Sequence, residues 1–332
     1  MAAYFGNAAE DLVPDALAGF ARAHASLVTH DTEHGYLLAR DPAPGRRVAL
    51  LSGGGSGHEP LHTGFVGRGM LDAAVPGRVF ASPHNRSVYE ASVAAAREDG
   101  VLHVVKNYTG DRINFGIAAE RLARRGIPCA RVLVDDDLAS ESEEIRAGRR
   151  GTGGTVLVEK ILGAAADSGL ALDELAKLGG ELVARCRTLA VASRAHTAPT
   201  TGGPAFELDA GQLEYGVGIH GERADRARAH GPSSELVAEM TGSLLQTLAP
   251  SRGDAVIALV NGLGSVTPLE LYGIFGELGR LLDDRGLDLA RCLVGNYVTA
   301  LDMRGFSITL MVADPLVLER YDAPVRTAAL SW

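Results

Sequence analysis

The sequence predicts an α/β protein built from two α/β domains, with a largely parallel sheet in the first and a mixed sheet in the second. Three observations carry that expectation. Short apolar runs at 48–51, 101–105 and 130–134 alternate with segments of helical period. Each run leaves into a polar or glycine-rich loop, as strands of a parallel sheet do at the edge that holds ligands. A Thr-Ala-Pro-Thr-Thr-Gly-Gly-Pro segment at 197–204 then breaks the rhythm, and a second α/β pattern follows it. The boundary is placed there, giving domains 1–196 and 197–332.

Taken in order, residues 11–24 place Val13, Leu17, Phe20 and Ala21 on one helical face, with Pro14 tolerated near the start. The strand at 48–51 enters a glycine loop. Residues 78–81 read as a short strand leaving into Ser82-Pro83-His84-Asn85-Arg86, where His84 is equally a solvated loop residue or a ligand group, and 87–98 read as helix. The strand at 101–105 exits into Lys106-Asn107-Tyr108-Thr109-Gly110-Asp111, a cation, an amide, a hydroxyl and a carboxylate within six residues. A helix at 114–125 closes on Gly126. The strand at 130–134 exits into Asp135-Asp136-Asp137, which reads as a solvated strand end because no further ligand is spaced to complete a metal shell. Helices at 151–168 and 172–189 and a strand at 190–193 complete the first half. The second half reads as helix 233–248, strand 255–260, a Gly262-Leu263-Gly264 turn, helix 268–284, and strands near 292–298 and 306–312.

Composition sets the class. A net charge of −9, with 46% hydrophobic and 22% charged residues over 332 positions, describes an enzyme-like chain long enough for two cores. The acidic balance argues against nucleic acid or an anionic membrane surface as the main partner. No basic apolar leader is present, and no window reaches the roughly 18 apolar residues of a membrane span, so a cytoplasmic location is expected. Cys129, Cys186 and Cys292 are isolated and are expected to be reduced core thiols.

The stretch that concentrates chemistry is Ser52-Gly53-Gly54-Gly55-Ser56-Gly57-His58-Glu59-Pro60. Four glycines are expected to end the preceding strand and to bring main-chain N–H groups close to a ligand, with the His58 imidazole at the lip. It is not a nucleotide phosphate loop, since His58-Glu59 stands where Lys-Ser or Lys-Thr is needed, and Pro60 occupies the third glycine of a dinucleotide fingerprint. His58-Glu59-Pro60-Leu61-His62 spells a zinc-protease string, but Pro60 suits the first turn of a helix and puts His58 outside it, so no metal site is expected. Further on, Gly218-Ile219-His220-Gly221 clears space around His220. Chemistry alone leaves it evenly divided between a packed residue and a catalyst.

These motifs, with Asn114-Phe115-Gly116, Glu214 to Glu222, Asn261-Gly262-Leu263-Gly264 and Leu301-Asp302-Met303, resemble the K subunit of dihydroxyacetone kinases over essentially the whole length. The resemblance implies a dimerising subunit of two α/β domains that holds a ketone covalently, as a hemiaminal, on the residue matching His220. It implies substrate contacts at Gly55, Ser56, Gly57, His58, Lys106 and Asp111, with His58 assisting proton transfer and Asp111 as the base for the phosphorylated hydroxyl. Selectivity for dihydroxyacetone over glycerol would then come from carbonyl reactivity, which glycerol lacks. No cofactor is expected on this chain. Mg and ADP or ATP are expected on a separate helical, nucleotide-binding L-type subunit, because the chain carries no aspartate-cluster domain for them. The sequence departs from the family at His84-Asn85-Arg86, which leaves another short ketose such as erythrulose open. A ketose-sensing transcriptional coactivator of the same fold is the rival reading, and a zinc hydrolase a third.

Overall fold

The computed structural model describes residues 4–140, 148–224 and 226–332. The first half runs α1 (Leu12–Ala23), β1 (Val28–Asp31), β2 (Tyr36–Ala39), β3 (Ala49–Ser56), β4 (Ala73–Val79), α2 (Asn85–Ala95), β5 (Val101–Lys106), α3 (Thr109–Arg124) and β6 (Cys129–Val134). Its strands form one sheet in the order β1-β2-β4-β3-β5-β6. The four strands β4, β3, β5 and β6 are parallel, and the β1–β2 hairpin adds an antiparallel edge.

Two helices follow, α4 (Gly154–Asp167) and α5 (Leu172–Ala184), and then β7 (Cys186–Arg194), β8 (Gln212–Tyr215), β9 (Ala227–Ala229), α6 (Ser233–Leu248), β10 (Ala255–Gly262), α7 (Pro268–Asp284), β11 (Asp288–Gly295), β12 (Arg304–Ala313) and α8 (Pro315–Asp322). The second sheet is mixed, in the order β11-β10-β12-β7-β8-β9, with β10 and β11 parallel and every other pair antiparallel. Strand β7 lies before residue 197, yet it bonds β12 and β8, so the second sheet begins upstream of the expected boundary.

Helix α4 joins the halves. Residues 154–166 are all buried, and α4 packs against β3 and β5 of one sheet and β7 and β12 of the other. The helix is buried on every side, its charged Glu159 and Lys160 included, and it forms the common layer between the sheets. Its start is fixed by Asp136, whose carboxylate accepts from Thr152 N at 2.7 Å and Gly154 N at 2.7 Å and from the Thr188 hydroxyl. Asp136 and Asp137 are thus buried structural groups, not the solvated strand end expected. On the opposite face, α3 buries Phe115 completely; Phe115→Ala is worth about 3–5 kcal/mol by the usual cavity cost.

Several boundaries differ from expectation for identifiable reasons. Strand β3 does not stop at its glycines but runs through Ser56, with a register shift against β4 between Gly54 and Ser56. Pairing with β5 as far as Gly53 and with β4 through Ser56 offsets the entropic weakness of glycine. Helix α3 begins at Thr109, not 114, which moves Asp111 into its first turn. Residues 59–62 form turns before a short 3₁₀ segment at Thr63–Phe65, so no helix starts at Pro60. Helix α7 matches its expected span, because Thr267, Pro268 and Glu270 make a complete capping box. Cys292 is exposed on edge strand β11 and is no core thiol. Among the described residues, no helix is long and apolar enough to cross a membrane.

Candidate active site between the two sheets

The first sheet supplies one wall. His58 follows β3 and is fully buried, stacked on Phe80 at 5.0 Å between ring centroids. Its Nδ1 lies 2.7 Å from the Thr299 carbonyl oxygen. A carbonyl only accepts, so Nδ1 carries the hydrogen and Nε2 keeps a lone pair. That Nε2 is buried and has no hydrogen-bond partner among the described residues. Burial, reinforced by the charges of His220 and Lys106, holds the His58 pKa well below the ordinary imidazole value, so the ring is neutral.

Lys106 ends β5 and is buried, with Nζ 2.8 Å from His62 Nε2. Gly54 makes that placement possible, since a Cβ there would overlap the ammonium. Gly57 sits at φ +101°, where a side chain would also strike the Phe80 ring. Asp111 is buried in the first turn of α3, over the positive end of the helix dipole, and its Oδ1 has no partner among the described residues. The Ser56 hydroxyl donates to Gly77 O at 2.7 Å and is committed to holding β3 on β4.

The second sheet supplies the opposite wall through the loop after β8. His220 N donates to Glu222 Oε2 at 2.9 Å, and His220 Nδ1 lies 2.9 Å from Glu222 Oε1. A carboxylate accepts, so Nδ1 bears the hydrogen and Nε2 is left nucleophilic. Burial would raise the Glu222 pKa, but the His220 hydrogen bond and the charges of His220 and Arg150 bring it down to about 2. Arg150 is itself held by Asp137 at 2.7 Å and by Gly216 O at 3.2 Å. The His220 ring packs 4.8 Å from His58, 4.6 Å from Tyr108 and 5.4 Å from Phe80. The walls are pinned together by Leu301 N donating to Gly57 O at 2.8 Å and Thr299 N donating to His58 O at 3.3 Å.

Of the residues expected from sequence, His58 and His220 meet directly, and the charges of Lys106 and Asp111 are felt at the same floor. Gly55 and Ser56 lie in the strand beneath. His84 does not join them; it is exposed and caps α2 through Arg86 N. His62 has both ring nitrogens engaged, Nε2 by Lys106 and Nδ1 by Glu159 and Ser52, which leaves no lone pair for a metal. Sequence reasoning missed Phe80, His196, Thr299 and Glu159. His196 is buried edge-on to Phe80 at 4.7 Å with Nδ1 unpartnered; its place just past the end of β7 is the signal that would have found it.

The fold and the site define a two-sheet α/β protein in which the His58, Phe80 and His220 rings of the two walls pack together, with buried Lys106 and Asp111 on the first wall. Residues 18–329 match the Dak1 domain, and the chain belongs to that family. It is 42% identical over 350 residues, covering 98% of both chains, to the PEP-dependent dihydroxyacetone kinase, dihydroxyacetone-binding subunit DhaK, of Escherichia coli strain K12. Among solved structures, it is similar to the native dihydroxyacetone kinase of C. freundii, with a TM-score of 0.91 and 36% identity over 99% of this chain and 60% of that one. It is also similar to the dihydroxyacetone kinase operon co-activator Dha-DhaQ, with a TM-score of 0.90 and 33% identity over 95% of this chain and 97% of that one.

Proposed function

We propose that this chain is the dihydroxyacetone-binding subunit of a dihydroxyacetone kinase, holding the ketone as a hemiaminal on His220 while a separate subunit supplies the phosphoryl group. The observation that carries this reading is a pair of buried, unpartnered acceptors on the first wall, His58 Nε2 and Asp111 Oδ1, with the His58 ring 4.8 Å from an imidazole whose Nδ1–H is tied to Glu222. Unpaired buried acceptors are costly, and substrate hydroxyls are the donors that would satisfy them. Full membership of the Dak1 family supports the same substrate.

The chemistry follows from the hydrogens already assigned. The His220 Nε2 lone pair attacks the carbonyl carbon, and the C=O π pair moves onto oxygen. The Nδ1 proton passes to Glu222, a water molecule protonates the new alkoxide by way of His58 Nε2, and Glu222 returns its proton to the hydroxide left behind, so the adduct forms without net change of charge. In breakdown, neutral His58 takes the hemiaminal O–H proton at Nε2; by microscopic reversibility that nitrogen returns it during formation. While the ketone is held on His220, Asp111 accepts the proton of a terminal hydroxyl as that hydroxyl's oxygen attacks the terminal phosphorus of the donor; the P–O bond to the departing nucleoside diphosphate breaks, and reversal of the hemiaminal frees dihydroxyacetone phosphate. The donor is a nucleotide phosphate with Mg on a helical L-type partner, and the subunit acts as a homodimer in the cytoplasm.

A crystal soaked with dihydroxyacetone is expected to show continuous density from His220 Nε2 to the central carbon. Intact, unattached ketone at full occupancy would sink the hemiaminal. Purified chain given ATP and Mg is expected to make no product until the helical subunit is added. Adduct without product in the complete mixture would move the reading to a ketose-sensing coactivator, a role suggested by the similarity to Dha-DhaQ.

A further inference from the structure

Behind the site, three ionisable side chains form a line that the chemistry above leaves unused. Ser52 Oγ donates to Val104 O at 2.7 Å, and that carbonyl fixes every hydrogen in the line. With its own hydrogen spent, Ser52 Oγ at 2.9 Å from His62 Nδ1 can only accept. Glu159 Oε1 also accepts there, at 2.7 Å, so Nδ1 is the protonated nitrogen. Nε2 then holds a lone pair, and Lys106 Nζ at 2.8 Å must donate to it. Lys106, His62 and Glu159 are all buried, and they come from β5, the segment after β3, and α4.

We infer that Lys106, His62 and Glu159 share one proton through this line, and that His62 and Glu159 are positioning residues that set the charge of Lys106 without touching substrate. The inference rests on the proposed function in taking Lys106 as the substrate contact that the resemblance implies, but its geometry does not. A lone buried ammonium is expensive, and on the site side its counter-charge is Asp111. Asp111 loses its negative charge when it takes the hydroxyl proton, whereas Glu159 stays behind the wall and keeps a compensating group in reach throughout. Burial pushes Glu159 up to about 8 and Lys106 down from the usual ammonium range, which brings the two groups towards a common proton affinity. The charged and titratable neighbours of the line are Asp111 and His58, and burial keeps His58 and His62 neutral.

The test compares wild type with Glu159→Gln, which keeps size and removes the charge, and with His62→Phe, which keeps a ring and removes both nitrogens. NMR titration of isotopically labelled lysine in substrate-free protein reads the charge of Lys106 directly. Its midpoint is expected to fall by about one pH unit or more in both variants. An unchanged midpoint overturns the relay, whatever the protein binds. Glu159→Gln is also expected to bind dihydroxyacetone about tenfold more weakly at pH 8, to recover as the pH is lowered, and to lose nothing further on a Lys106→Met background. An equal loss with and without Lys106 assigns Glu159 a merely structural role and defeats the proposal. A lower melting temperature with wild-type affinity and midpoint does the same.

Discussion

The two walls of the site are built on different principles. The wall from the first sheet is deep and fixed: His58, His62, Lys106 and Asp111 are all buried and attached to strand ends or a helix start. The wall from the second sheet is a loop, where the His220 side chain is 21% exposed and is steered by Glu222. Burial keeps the first wall's imidazoles neutral, while the second wall's position leaves its nucleophile open to an entering ketone. Under the proposed function, the difference would separate recognition and proton transfer, which need fixed geometry, from covalent capture, which needs access.

The sharpest way to separate the walls is Asp111→Asn, which keeps the size of the side chain and removes its basicity. Phosphoryl transfer is expected to fall by about two to four orders of magnitude while the covalent adduct survives. Near-normal turnover in a coupled assay would remove Asp111 from the role of base. The mirror-image change is His220→Ala, in which the fixed wall still offers its acceptors. Affinity for dihydroxyacetone is expected to drop about a hundredfold, to the level of glycerol, by isothermal calorimetry. A retained preference for the ketone would show that reactivity is not the source of selectivity.

Glu222→Gln tests the steering of the nucleophile more gently, since the amide oxygen can still accept from Nδ1, although the bond from His220 N is lost and no proton can be taken up. Adduct formation is expected to slow about tenfold with little change in stability. Equal rates in stopped-flow binding would leave Glu222 a purely structural group.

The smallest effect concerns pH. The His58 pKa is lower in the folded than in the unfolded chain, so below about pH 6.5 the unfolded chain takes up a proton that the native site refuses. Its contribution to stability is complete above that pH and falls as the pH drops, by up to about 1.4 kcal/mol per unit. His58→Asn is expected to flatten the acid limb between pH 6.5 and 5 in denaturant titrations, and an unaltered limb would place the acid sensitivity elsewhere.

The periodicity of the chain announced the α/β class, the parallel core of the first sheet and the span of α7, because those follow from local spacing and from caps within four residues. The crowding of polar residues at strand exits also pointed to the glycine run, Lys106 and Asp111, but the glycines were read as a loop and instead continue β3, and a role for His220 came only from the resemblance. Short strands such as β1, β2, β8 and β9 were not legible, because three or four residues carry too little period. Nor was the fate of Asp136, which depends on Thr188, 52 residues away.

By itself the sequence determined which groups stand at the ends of its strands, and through the shared motifs, the family. Only the tertiary structure decided which of them face one another. The separation between His62 and Glu159 is 97 positions, and between His58 and Thr299 it is 241. No local pattern encodes such pairings. Yet they settle which nitrogen of each histidine bears a hydrogen, and with it which nitrogens keep a lone pair.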